Sequence, residues 1–195
     1  MKIITINREY CAGGHSIGLE VAKELGLALY DRDIIKAVAK ENGIEYDSLA
    51  EEDEEISKVD SFIRNITPIS YEQKDVIYEA EKQIILDIAK KGPVVFLGHC
   101  ANSILKEAGY DTLSILLHGS IDSRMKRASE LLNTDDEATI RKVLKKRDHA
   151  RRSYYEYYTD SKFEDYSNYD LSIDTGRLGY EKSIELIVNV ARMFK

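Results

Sequence analysis

Cysteine, proline and long apolar runs are all scarce in this chain. Two cysteines among 195 residues, Cys11 and Cys100, are too few for a disulfide framework and neither sits at metal-ligand spacing. A stapled secreted scaffold and a zinc module are therefore excluded, and a reducing compartment is expected. Only Pro68 and Pro93 occur, and no Ser/Gly-rich linker or internal repeat divides the sequence, so we expect one unit over 1–195. No apolar stretch approaches the roughly 18 residues of a membrane helix. The opening Met1-Lys2-Ile3-Ile4-Thr5-Ile6 is too short for a secretory signal and runs straight into a strand, so a cytoplasmic protein is expected. Overall base is lacking too. A net charge of −7 argues against a general nucleic-acid binder or a protein of anionic membranes.

With 43% hydrophobic and 32% charged residues, the chain can build one sizeable globular core. Its charge is unevenly spread: acid gathers at Glu51-Glu52-Asp53-Glu54-Glu55 and base between Arg141 and Arg152. Apolar runs bounded by turn signals predict strands at Lys2–Ile6, Leu27–Tyr30, Val94–Leu97, Thr112–Leu117 and Leu171–Asp174, with helical periodicity between them. Alternating strands and helices imply an α/β protein whose mainly parallel sheet is covered on both faces. The predicted helices run from His15/Ser16 to Gly26, through 34–39 behind Asp31, over 71–91 with Val76, Ala80, Ile84 and Ile88 as its apolar stripe, and after Gly179. The charged, poorly patterned stretch 44–70 is expected to protrude from the sheet.

The first strand is followed by Cys11-Ala12-Gly13-Gly14-His15-Ser16 and then a helix. A glycine pair can turn the chain sharply and bring backbone N–H groups to an oxyanion, and the helix start adds unpaired N–H groups and its dipole. A plain turn would look similar. The P-loop signature GxxxxGK[ST] has a lysine here that this chain lacks. Two further constellations stand out. The third strand ends in Gly98-His99-Cys100-Ala101-Asn102, which puts His99 beside the first loop if that strand neighbours the first. Arg147 and Arg151 are four apart, so on a helix both guanidinium groups leave one face and form a candidate phosphate clamp, with Arg152 adjacent. A solvated basic face is the alternative. For Tyr154, Tyr155, Tyr157 and Tyr158, packing is expected rather than base stacking.

Taken together these residues resemble the cytidylate kinase-like family, a branch of the P-loop nucleoside monophosphate kinases. The resemblance covers nearly the whole chain: Arg8-Glu9 with Gly13-Gly14-His15, Leu25-Gly26, Tyr30-Asp31, Gly98-His99-Cys100-Ala101, Arg147-Asp148 with Arg151-Arg152, and Tyr169-Asp170-Leu171-Ser172-Ile173-Asp174-Thr175. It implies a three-layer P-loop fold with strand order 2-3-1-4-5, a monophosphate-binding insertion at 44–70 and a lid over about 141–160. It also implies transfer of the γ-phosphoryl of ATP, with Mg²⁺, to CMP or a related small acceptor. Counting back from Leu25-Gly26 sets Gly14 on the lysine of the GAGKST motif of a true cytidylate kinase and Arg8 on that motif's first glycine, whereas a one-residue shift sets His15 on the lysine.

On this resemblance Ala12, Gly13, Gly14, His15, Ser16 and Arg152 would bind phosphate or nucleotide, and Arg147 and Arg151 would be catalytic. Asp31 and His99 would bind the acceptor, and Ser16 would meet Mg²⁺. The expected partner is a nucleotide or small phosphorylated metabolite. The alternatives are a nucleotide- or phosphate-binding protein without transferase activity, and an interaction module built on the acidic segment.

Overall fold

The five apolar runs are the strands of one parallel sheet. The structure, a computed structural model, describes residues 3–31 and 71–193; the helix expected at 34–39, the acidic run 51–55 and the segment 44–70 lie outside the described residues. The strands are β1 (Ile3–Arg8), β2 (Ala28–Tyr30), β3 (Val94–Leu97), β4 (Thr112–His118) and β5 (Leu171–Asp174), and their order is β2-β3-β1-β4-β5. Every pairing is parallel, as right-handed strand–helix–strand crossovers require. β1 extends two residues past the expected Ile6 because Asn7 and Arg8 pair with Leu116 and Leu117 of β4. That extension carries Arg8 to the carboxyl edge of the sheet, where α/β proteins bind ligands.

Helices cover both faces. The described ones are α1 (Gly14–Leu25), α2 (Tyr71–Ala89), α3 (Ala101–Glu107), α4 (Ile121–Leu132), α5 (Glu137–Thr159) and α6 (Thr175–Met193), the last interrupted at Gly179, whose φ is 76°. Side chains alternate across the central strand. Ile4 and Ile6 join Ile17, Val21, Ile187 and Val188 in a core under α1 and α6, while Ile3 joins Ile84, Ile85, Ile104 and Leu105 under α2 and α3. A third cluster, with Tyr10, Cys11, Ala128, Ile140 and Leu144, fastens the loop after β1 to α4 and α5. No described helix is long and apolar enough to cross a membrane.

The buried face of α2 matches the expected stripe at Ile84 and Ile88 and departs from it toward the start of the helix. Val76 is 63% exposed, and the inward positions are Tyr78, Glu81, Ile84, Ile85 and Ile88. Tyr78 explains the rotation, because its ring stacks on Tyr158 of α5 at 4.0 Å between centroids and draws that side of α2 inward. Tyr154, Tyr155 and Tyr158 of α5 pack as expected, whereas Tyr157 is 56% exposed and only meets Tyr158 edge-on. Tyr155 meets Phe163 edge-on, while Tyr154 and Tyr158 lie together beside Tyr78.

Burial is the leading cause that pushes the phenols of Tyr78, Tyr155, Tyr158 and Tyr169 above their usual range, and it pushes the Cys100 thiol up as well. In the unfolded chain these groups lose their protons at ordinary values, so above about pH 10 the unfolded state binds fewer protons than the native state. Stability is therefore whole below that range and lost as pH rises toward the raised values. Chemical denaturation at pH 8, 10 and 11 should give falling midpoints, and a midpoint constant over that range would contradict the burial of these phenols.

Candidate functional site

The loop between β1 and α1 holds two residues in the left-handed region, Cys11 at φ 63° and Gly13 at φ 81°. Gly13 is the N-cap of α1, and its carbonyl accepts the N–H of Ile17 at 2.9 Å. The first-turn N–H groups of Gly14, His15 and Ser16 have no partner inside the helix. A turned backbone leading into a helix N-terminus has the geometry of an anion cradle, and the loop is called the cradle for that shape. The Tyr180 ring of α6 walls it on one side, since a Cβ on Gly13 would lie 2.5 Å from Cε1 of that ring. Beyond this wall is a cavity of about 330 Å³ lined by Ser16, Ser123, Lys126, Arg127, Glu130 and Tyr180.

A buried charge network fixes the cradle to the body of the protein. Arg124 of α4, 4% exposed, donates to the carbonyls of Gly119 and Tyr10 at 2.9 and 2.8 Å and to Asp148 of α5 at 2.8 Å, and lies 3.5 Å from Glu9. Asp148 in turn accepts the backbone N–H of Tyr10 at 2.8 Å, and Glu9 accepts that of Gly119 at 3.0 Å. Thr175 Oγ1 donates to the carbonyl of Ala12 at 3.0 Å. Each end of the loop is thereby tied to an element far away in sequence.

The other residues singled out in the sequence fall into four groups. Arg147 and Arg151 both lie over the ring of Tyr10, 5.5 Å from its centroid, and Arg151 Nη1 donates to the carbonyl of Arg8 at 3.2 Å. Both arginines thus stand against the loop, with Arg147 mostly buried at 9% exposure. Arg152 points elsewhere and pairs with Glu164 at 2.7 Å. His15 Nδ1 faces Asp31 at 3.2 Å, which joins the helix start to the end of β2. His99 follows β3 in a left-handed conformation, φ 57°, with Cys100 also left-handed at φ 55°. Its Nδ1 lies 3.0 Å from Glu81, and Tyr154 donates to the second oxygen of Glu81 at 2.6 Å. Glu81 is 2% exposed, so this carboxylate holds the imidazole ring from inside the protein. Of the five non-glycine residues with positive φ among the described residues, Asn133 and Asp160 cap helices, while Cys11, His99 and Cys100 lie at the carboxyl edge of neighbouring strands.

A model of the cytidylate kinase-like family matches residues 3–177. The chain belongs to that family. The cytidylate kinase of Methanocaldococcus jannaschii is 25% identical over 126 residues, covering 64% of this chain and 70% of that protein. Among solved structures, an uncharacterized protein from Eubacterium ventriosum superposes with a TM-score of 0.75 at 24% identity, covering 98% of this chain and 99% of that one. Shikimate kinase from Bacteroides thetaiotaomicron superposes with a TM-score of 0.56 at 11% identity, covering 97% and 98%. At these identities the structural likenesses establish the shared P-loop kinase fold.

Sequence reading missed the members that act through others. Glu81 falls in the apolar register of α2, four after Ile77 and three before Ile84, and a carboxylate at such a position signals a buried partner. Arg124 sits on a helix whose other charges are solvated, and nothing local separates it from them. Tyr180 is signalled only by its place behind Gly179.

Proposed function

We propose that the chain is a phosphotransferase of the nucleoside monophosphate kinase type, moving the γ-phosphoryl of ATP to CMP or a related small acceptor in the cytoplasm. The observation that carries this reading is the anion cradle at the end of the central strand, with Arg151 bonded to the strand's last residue and an open hollow of about 330 Å³ beside it. In this scheme the N–H groups of 13–16 bind the β- and γ-phosphates, and the cavity takes the nucleoside. Asp31 and His99 face the acceptor from the edges of β2 and β3, and Arg147 and Arg151 neutralise charge on the transferring group. Arg152 serves as an outer phosphate contact when it leaves Glu164.

Among the described residues no cluster of three His, Cys, Asp or Glu side chains could hold a metal by itself. This donor set fits Mg²⁺ that arrives on the phosphates and adds the Ser16 hydroxyl, the usual habit of that ion. When bound, the metal would neutralise phosphate oxygens. The chain's own part is to orient the phosphates and exclude water.

A second reading, nucleotide binding without transfer, is favoured by Gly14 in the lysine position. Thermal shift with ATP-Mg²⁺, followed by a transfer panel of CMP, dCMP, UMP, AMP, shikimate and gluconate, separates the two. Transfer to one acceptor establishes the first reading; ATP binding with no transfer to any establishes the second. On the productive acceptor, Arg151→Ala should lower kcat by roughly ten- to a hundredfold while changing the ATP Kd little, because lid cations act on charge that develops in the transition state. Arg147→Ala should do the same and also lower Tm, given its burial against Tyr10. Unchanged kcat in both would reduce the clamp to a packed basic face.

A further inference from the structure

Gly14 is glycine for a reason its backbone does not supply. It is the first residue of α1 and is not left-handed, so any residue could adopt its conformation. What forbids a side chain is Arg8. A Cβ on Gly14 would lie 2.6 Å from Cγ of Arg8, 3.0 Å from its Cδ and 3.2 Å from its Cβ. The same arginine then reaches across the sheet edge. Its Nη1 donates to the carbonyl of Leu97 at the end of β3 at 3.2 Å, and a Cβ on Gly98 would run into Nη1. The stem of Arg8 thus lies along the start of α1 and its guanidinium along the end of β3, between the anion cradle and the loop that presents His99.

We propose that Arg8 is the phosphate-loop cation of this protein, with its guanidinium occupying the role that lysine fills in the usual motif. The motif's first glycine and its lysine have in effect exchanged places: the cation stands at position 8, on the strand, and the glycine at position 14, on the helix. Swapping both keeps one positive charge in the cradle and one gap to hold it. An arginine at position 8 with a lysine at 14 would be two side chains in one space. This inference rests on the phosphotransferase reading for its chemistry but not for its geometry. In the transfer step the bond between the γ-phosphorus and the β,γ-bridging oxygen breaks and its electron pair leaves with ADP. A new bond forms from an acceptor oxygen to the γ-phosphorus. Arg8 donates N–H groups to the phosphoryl oxygens throughout and gives up no proton. With a monophosphate acceptor no proton transfer is needed.

Inorganic tripolyphosphate tests this without any acceptor or turnover. Binding to the full chain is measured by calorimetry for wild type, Arg8→Gln, Arg8→Lys, and the double variant Arg8→Gly/Gly14→Lys, with a melting curve for each. We expect Arg8→Gln to weaken tripolyphosphate at least tenfold, Arg8→Lys to fall between it and wild type, and the double variant to regain most of the loss. A merely structural arginine gives no reason for a lysine on another element to restore anion affinity. If a folded Arg8→Gln binds as tightly as wild type, or a folded double variant stays as weak as Arg8→Gln, the proposal is overturned. Should Arg8→Gln not fold, Arg8→Lys and the double variant decide by the same comparison. Failure of wild type to bind tripolyphosphate at all overturns the phosphate site itself, which is a separate result.

Discussion

Gly13→Ala should destabilise the protein by about 2–5 kcal/mol and abolish measurable tripolyphosphate binding. Two costs add. An L-residue in the left-handed region costs roughly 1–2 kcal/mol, and Gly13 has φ 81°. The new methyl would also overlap the Tyr180 ring, 2.7 Å from its hydroxyl oxygen, and forcing a packed ring aside costs about 1–3 kcal/mol. The other end of the same helix provides the control. Gly26, the C-cap, has φ 66° but nothing within 4 Å of where a methyl would stand, so Gly26→Ala should show the backbone cost alone, about 1 kcal/mol. Urea titration of both variants measures the difference. Adding Tyr180→Ala to Gly13→Ala should remove the part due to overlap. Equal losses for Gly13→Ala and Gly26→Ala would mean that Tyr180 does not wall the cradle.

What the sequence made legible, and what it hid, follow from how local each signal is. The strands were readable because a parallel sheet buried on both faces leaves continuous buried runs rich in β-branched residues, as in Ile3-Ile4-Thr5-Ile6 and Val94-Val95-Phe96-Leu97. Their order was not in those runs and came from the family resemblance. The cradle was readable because Gly13 and the helix after it are neighbours in the chain. The departures at Arg8 and Gly14 were visible as isolated oddities, and only the packing of one against the other makes them a pair. The face of α2 was read rightly at Ile84 and Ile88 and wrongly at Val76, because Tyr78 and Glu81 are held inward by Tyr158, Tyr154 and His99, which lie 18 to 80 residues away along the chain. Periodicity weighs hydrophobicity and cannot weigh a hydrogen bond to a partner it has not located. The same limit hid the network under the loop, whose bonds join Tyr10 to Asp148 and Arg124 to Tyr10 across more than a hundred residues.

That network carries the largest expected stability effect. Arg124→Leu should cost about 3–5 kcal/mol, the range for removing one partner of a buried ion pair. The side chain makes three donor bonds and a flanking contact to Glu9, and both it and Asp148 are at most 5% exposed. Leucine fills much of the volume but leaves Asp148 and Glu9 facing each other's charge without the guanidinium between them, and leaves the carbonyls of Tyr10 and Gly119 without its donors. The double variant Arg124→Leu/Asp148→Leu should be less destabilised than the sum of the singles, because the second change removes the stranded carboxylate. An exposed pair on the same helices sets the scale. Arg141 and Asp122 are 2.7 Å apart but 43% and 77% exposed, so Arg141→Ala should cost no more than about 1 kcal/mol. Because Asp148 holds the N–H of Tyr10 and Arg124 its carbonyl, Arg124→Leu should also loosen the cradle: tripolyphosphate affinity should fall even below the unfolding temperature, and amide exchange at Tyr10 and Cys11 should quicken more than across β1. If Arg124→Leu costs no more than Arg141→Ala, the ion pair is not what anchors the loop, and the satellite cluster of Tyr10, Ile140 and Leu144 holds it alone.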